Sequence, residues 1–116
     1  MDNILLNVQG ERVSYWVNNL MGNSDIEYPI GSLADLYSEL AEADHEHTDV
    51  SLTHESEWCL SAFPSGLLIW ENVSGEGEPQ HMLNVSKEKT IELWSLLANG
   101  SIEEINKENW LQGYGS

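Results

Sequence analysis

Apolar and polar residues alternate with two different periods along this chain, and each change of period marks an element. Ile4–Val8 is a short apolar run, and in Arg12–Val17 the residues Val13, Tyr15 and Val17 share one side of an alternation. Gln9-Gly10-Glu11 between them reads as a turn, so a hairpin is expected over residues 3–18. From Asn18 the chain reads as a polar loop, with Gly22, Asn23 and Pro29 as breakers. At Ser32 the spacing becomes helical. Leu33, Leu36, Tyr37 and Leu40 fall on one face, while Glu39, Glu42 and Asp44 lie off it. The Ser32 hydroxyl is placed to cap this helix, with Asp35 returning the bond as a variant of the capping box. The helix is expected to end near Ala43.

Between Thr48 and Val85 the period returns to two. Val50 and Leu52 alternate with Asp49, Ser51 and Thr53 as a half-buried strand, and Glu57–Phe63 follows with Trp58, Leu60 and Ala62 on one side. Pro64-Ser65-Gly66 makes a turn into Leu67–Val73, a nearly continuous apolar run suited to a central strand covered on both faces. Ser74–Pro79 reads as an acidic hairpin loop before His81–Val85 returns. Ser86 opens a second helix whose buried stripe is Ile91, Leu93, Trp94, Leu97 and Ala98, and Gly100 is placed to close it in a left-handed conformation. Ile102, Ile105 and Trp110 mark a short last element. The pattern predicts an α+β fold: an antiparallel sheet of about five to six strands with two main helices packed on it. One domain over 1–116 is expected, with residues 112–116 as a frayed tail.

Charge changes this picture most. The chain has 20 Asp and Glu against four Lys and Arg, a formal net charge of −16. No basic residue lies between Val13 and Ser86, a stretch that holds Asp25, Glu27, Asp35, Glu39, Glu42, Asp44, Glu46, Asp49, Glu55, Glu57, Glu71, Glu76 and Glu78. Such a field repels nucleic acid and anionic membrane and attracts basic surfaces. Four basic residues could not neutralise a phosphate backbone, which excludes nucleic-acid binding. Hydrophobic residues make up 41% of the chain, with five Trp and four Tyr, so the charge does not signal disorder. An ordinary surface intersperses both signs; this one does not. The single Cys59 excludes an internal disulfide framework and fits a reducing compartment. The N-terminal residues match neither a secretory signal nor a transit peptide, and no apolar stretch reaches the ~18 residues of a membrane span. A soluble, cytoplasmic protein is expected.

Candidate chemistry is sparse. His45, His47 and His54, with Asp44, Glu46, Asp49 and Glu55, come nearest to a metal site, but their spacing matches no zinc signature. The alternative is that these histidines are solvated at a helix end and a strand edge. Cys59, five residues after His54, could form a thiolate–imidazole pair or could fill a small space on a strand. Among so many carboxylates nothing singles out an acid–base pair, and there is no glycine-rich phosphate loop or G-x-S-x-G elbow. No catalytic residue, metal or cofactor is therefore assigned, and an enzyme is not expected. Trp94 reads as core, as do Trp58 and Trp70. Trp16 falls opposite the Val13/Tyr15/Val17 side and, ringed by carboxylates, would suit an interface anchor.

The succession of the Leu33/Leu36/Leu40 helix, a strand, and Trp58–Phe63 turning through Pro64-Ser65-Gly66 into Leu67-Leu68-Ile69-Trp70 leads to a distinctive ending. That ending is V-S-K-E-K-T-I-E-L-W-S-L-L-A-N-G-S-I-E-E-I-N-K-E-N-W, from Val85 to Trp110. Over residues 32–110 this resembles the small immunity proteins of bacterial polymorphic-toxin and contact-dependent inhibition systems, in particular the first of the numbered immunity families. The turn Ala98-Asn99-Gly100-Ser101-Ile102 departs from that family's Thr-Gly-Arg-Arg-Pro-like turn. The resemblance implies a cytoplasmic protein that binds the C-terminal domain of a cognate toxin and blocks it, with no chemistry of its own. A nuclease or nucleic-acid deaminase toxin would be basic, and the acidic coat would steer the encounter. The expected toxin-binding residues are Asp44, Glu46, Asp49, Glu55, Glu57, Glu71, Glu76, Glu78 and Trp16. A monomer or weak dimer is expected, with no nucleic-acid or membrane partner. Two other readings stand beside this one: a DNA mimic that sequesters a basic DNA-binding protein, and a small metalloenzyme built on the histidine cluster.

Overall fold

The computed structural model describes residues 14–26 and 28–115. The expected strand Ile4–Val8, its turn and Val13 lie outside the described residues. The rest builds one antiparallel sheet from β1 (Tyr15–Asn18), β2 (Ser24–Ile26), β3 (Val50–His54), β4 (Trp58–Ala62), β5 (Leu68–Asn72), β6 (Gln80–Met82) and β7 (Leu111–Gln112). The order across it is β2-β1-β3-β4-β5-β6-β7. The helices are α1 (Leu33–Ser38), which tightens into a 3₁₀ turn over Glu39–Glu42, α2 (Lys87–Ala98) and α3 (Ile102–Asn106). This is the expected α+β class, with helices on an antiparallel sheet of seven strands, slightly more than the pattern predicted.

Register assigns every strand residue to a face. Val17 lies opposite Leu52, Leu52 opposite Leu60, and Leu60 opposite Trp70, so one row of large apolar side chains crosses four strands. Val50, Ala62 and Leu68 form a parallel row beside it. Residues paired across strands share a face, and α2 covers this one. All seven of these side chains are buried, and Leu93, Trp94 and Leu97 of α2 are buried with them in the same cluster. The Trp94 indole N–H donates to the Leu60 carbonyl at 3.0 Å, joining the middle of α2 to the middle strand. Tyr37 meets Trp94 edge-on at 6.3 Å and brings α1 into the same layer.

The ends of α2 are set locally. The Ser86 hydroxyl accepts the Lys89 backbone N–H at 3.1 Å, and Thr90 Oγ1 donates to the Ser86 carbonyl, so the N-cap is satisfied as the sequence suggests. Gly100 ends the helix at φ 78°, and a Cβ there would stand 3.1 Å from His54 Nε2. Both the positive φ and the imidazole packing require glycine.

Four sequence expectations fail for identifiable reasons. The stretch after Asn18 is a tight turn followed by a strand. Asn19 N–H donates to Asn23 O at 2.9 Å, Gly22 takes φ 86°, and Ser24–Ile26 returns to pair with β1. Ser32 makes no side-chain cap, because a 3₁₀ turn over Ile30–Ser32, entered from Pro29, already supplies the first turn. β3 is buried on both faces, not one: Ser51 and Thr53 are 8% and 5% exposed, so their small hydroxyls fill a packed surface. Finally, the segment expected to fray is hydrogen-bonded to the sheet. Gln112 pairs with Gln80, Gly113 N–H donates to Pro79 O, and the buried His81 donates from Nδ1 to Gly113 O at 3.0 Å.

Trp94→Ala should lower unfolding free energy by about 3–5 kcal/mol, by opening a cavity under α2 and stranding the Leu60 carbonyl bond. Urea denaturation checks this, with Trp94→Phe expected to cost less because it keeps most of the buried area.

Candidate functional site

The hairpin turns sort the carboxylates to opposite ends of the sheet. One end is defined by Val50, Ala62, Leu68 and Met82; the other by His54, Trp58, Asn72 and Gln80. Asp44, Glu46 and Asp49 belong to the loop entering β3 at the first end. Glu55 and Glu57 sit in the β3–β4 turn at the second end, and Glu76 and Glu78 in the β5–β6 loop beside it. The two turns are tied together: Val73 N–H donates to Glu57 O at 2.8 Å, and Asn72 Nδ2 donates to Ser56 O. Glu71 and Trp16 lie on neither end. They point from the face opposite α2, in a row running Trp16, Thr53, Cys59, Glu71 across β1, β3, β4 and β5. Three strand spacings place them about 14 Å apart. The nine expected binding residues therefore occupy three regions, and only Glu55, Glu57, Glu76 and Glu78 form a continuous group.

At the first end Asp44 is occupied by its own loop. Its Oδ1 accepts the backbone N–H groups of Glu46 and His47 at 2.9 and 2.8 Å, and His47 Nδ1 donates to the same atom at 3.1 Å. The His47 and Glu46 backbone bonds hold this carboxyl below the ordinary aspartate range. On the sheet face Glu71 Oε1 accepts the Tyr114 hydroxyl at 2.8 Å, and this bond to a carboxylate raises the phenol above its usual range. Glu57, Glu76 and Glu78 of the second end make no ion pair with a described lysine.

The described lysines all lie on α2 or just after α3. Lys87 Nζ donates to Ser38 Oγ, Lys89 bridges Glu92 and Glu108 at 3.1 and 2.9 Å, and Lys107 meets Glu104 at 3.2 Å. The Glu108 and Glu92 bonds raise the Lys89 ammonium above its ordinary range. One flank of the molecule is thus mixed in sign, and the second sheet end carries no described lysine.

That end also carries a cleft of about 320 Å³ lined by Trp58, Gly77, Glu78, Gln80 and Gln112. Its wall is the outermost ring of a ladder. Trp58 stacks on Trp70 at 4.7 Å and 18°, and Trp70 on Trp110 at 6.1 Å and 16°. Trp70 is fully buried, its indole donating to Asn106 Oδ1 at 2.8 Å, and Trp110 donates to Ile105 O at 2.8 Å. Trp70 in the middle and Trp110 at the far end are both anchored, which fixes the plane of the half-buried Trp58. The sequence reading took Trp58 as core and Gln112 as tail. Gln80 and Gln112 meet only because β7 returns along β6.

Beside the cleft, Glu57 stands at φ 76°, closing the turn with its N–H on His54 O at 2.8 Å. A three-residue hairpin loop calls for glycine at that left-handed position. A glutamate held there is strained and keeps a charge at the rim.

The other candidate chemistries do not assemble. His54 and Cys59 fall on opposite faces, since Cys59 pairs with Thr53 and not with His54. Burial pushes the Cys59 thiol above its usual range, despite hydrogen bonds with Thr53, Ser61 and Ser51. His54 ends β3, about 13 Å along the strand from Val50, and so far from His45 and His47. Among the described residues no three His, Cys, Asp or Glu converge to hold a metal ion. Nor is any described helix long and apolar enough to cross a membrane.

Two outcomes follow. Glu57→Gly should raise stability by about 1 kcal/mol in urea denaturation, the released strain outweighing glycine's added chain entropy. Carbon-detected titration should place Asp44 below the ordinary aspartate value of 3.8. Because the folded value is depressed, its tie to the His45–His47 loop holds above that ordinary value and is lost as pH falls through the lowered one. Asp44→Asn should loosen the same loop at neutral pH. No family model, no curated protein and no solved structure matches this chain.

Proposed function

We propose that this protein is a non-catalytic inhibitor of the immunity type, which captures the basic C-terminal domain of a cognate toxin through its acidic sheet end. The observation that carries the reading is the segregation of charge. Glu55, Glu57, Glu76 and Glu78 crowd two mutually bonded turns, while every described lysine lies on the α2–α3 side. Carboxylates placed this way repel one another. A cationic partner would offset that repulsion.

A toxin acting on nucleic acid presents Lys and Arg to bind phosphates, and the same groups would meet this rim. Steering of such a pair gives association rates of roughly 10⁸–10⁹ M⁻¹s⁻¹ at low salt, against about 10⁵–10⁶ without it. Speed matters for an inhibitor that must arrive before damage accumulates. Occupying the basic channel would block substrate with no chemical step. The partner lies in the cytoplasm, where the reduced Cys59 is at home, and neither nucleic acid nor membrane takes part.

The direct test is co-expression with the C-terminal domain of the toxin encoded beside this gene. Rescue from that domain and from no unrelated toxin is expected; no rescue and no complex would overturn the reading. In stopped-flow association the rate should fall about tenfold or more between low and physiological ionic strength. Replacing Glu55, Glu57, Glu76 and Glu78 together by Gln should slow association by a similar factor. Neutralising Asp44, Glu46 and Asp49 should slow it less.

A further inference from the structure

Resting on that reading, we infer that the Trp58 cleft is a receptor for a single arginine side chain of the partner. The cleft's volume of about 320 Å³ sits at the small end of ligand pockets and has room for one planar side chain. Its walls match a guanidinium in each respect that distinguishes that group. A guanidinium is planar and weakly hydrated and stacks on aromatic faces. Trp58 has one face on Trp70, leaving its other face and edge for the cleft, and the anchored ladder behind it keeps the ring from turning away. Trp is the strongest aromatic partner for a cation.

A guanidinium also offers five donors and no acceptor. The cleft is lined by Glu78, which carries a carboxylate, and by Gln80 and Gln112, which carry amides and face one another across β6 and β7. Each supplies an acceptor oxygen. Register puts both glutamines on the same sheet face as Trp70, so they approach from one side while Glu78 comes from the loop above. Gly77 turns that loop through a left-handed backbone at φ 76°. No described lysine lines the cleft. A lysine would bring a compact, strongly hydrated charge that uses neither the flat wall nor the spread of acceptors.

The test uses the full chain and N-acetyl-arginine amide as probe, titrated at low salt while indole and side-chain amide NMR signals are followed. The Trp58 indole and the Gln80 and Gln112 amides should shift together and saturate at millimolar probe, with the Trp16 indole unmoved. N-acetyl-lysine amide should bind at least about fivefold more weakly. Glu78→Gln and Gln112→Ala, both at exposed positions, should each weaken the arginine probe about fivefold to tenfold without loss of fold. Equal response to lysine, a response to glucose at the same signals, or retention of binding in both variants would overturn the assignment. The two readings part cleanly. Rescue from the toxin with no arginine response at Trp58 sinks the cleft assignment alone. Saturable, arginine-selective binding with no toxin captured supports the cleft and sinks the immunity role.

Discussion

Carboxylates in such excess must be kept out of the packed core, and the rest of this structure follows from how that is achieved. The stretch from Val13 to Ser86 contains no Lys or Arg, so no lysine or arginine of its own holds a turn closed. The turns close on backbone bonds instead: Glu57 on His54, Val73 on Glu57, Gly75 on Asn72. The acids ride on those turns at the ends of strands whose middles are packed. At Trp94 the layers are joined by a neutral indole–carbonyl bond, which makes no demand on charge. Stability comes from burial and acidity is left to the periphery.

The peripheral acids are not equivalent. Asp44 turns inward on its loop, Glu71 is bonded to Tyr114, and Glu108 and Glu104 hold lysines. The acids beside the aromatic cleft are those of the Glu55–Glu57 and Glu76–Glu78 end. Glu57 occupies a left-handed position that glycine would fill at lower cost, so charge at this rim is kept at the expense of the backbone. The tryptophan ladder gives the same end a rigid surface, and rigidity lowers the cost of ordering on binding.

Much of the fold was legible because its strongest signals are local. Ser86, the Leu93/Trp94/Leu97 stripe and Gly100 define α2 within fifteen residues. The Trp58/Leu60/Ala62 alternation and the apolar run before Asn72 define β4 and β5. β2 escaped because its three exposed residues have no alternation to read, and its existence depends on the Asn19–Asn23 turn. The Ser32 cap was misread because a turn begun at Pro29 arrives first. The candidate site was hardest. Its acids were visible as residues but not as a group, since loops far apart in sequence decide which end each one reaches. The cleft joins Trp58, Gln80 and Gln112, which no local pattern connects.

Hydrogen–deuterium exchange on the complex with the cognate toxin domain tests the central claim most directly. Protection should appear at Glu55–Trp58, Ser74–Gln80 and Leu111–Gln112, with α2 and α3 exchanging as in the free protein. A footprint on α2–α3 or on the Asp44–Asp49 loop, with the acidic end unprotected, would contradict the account.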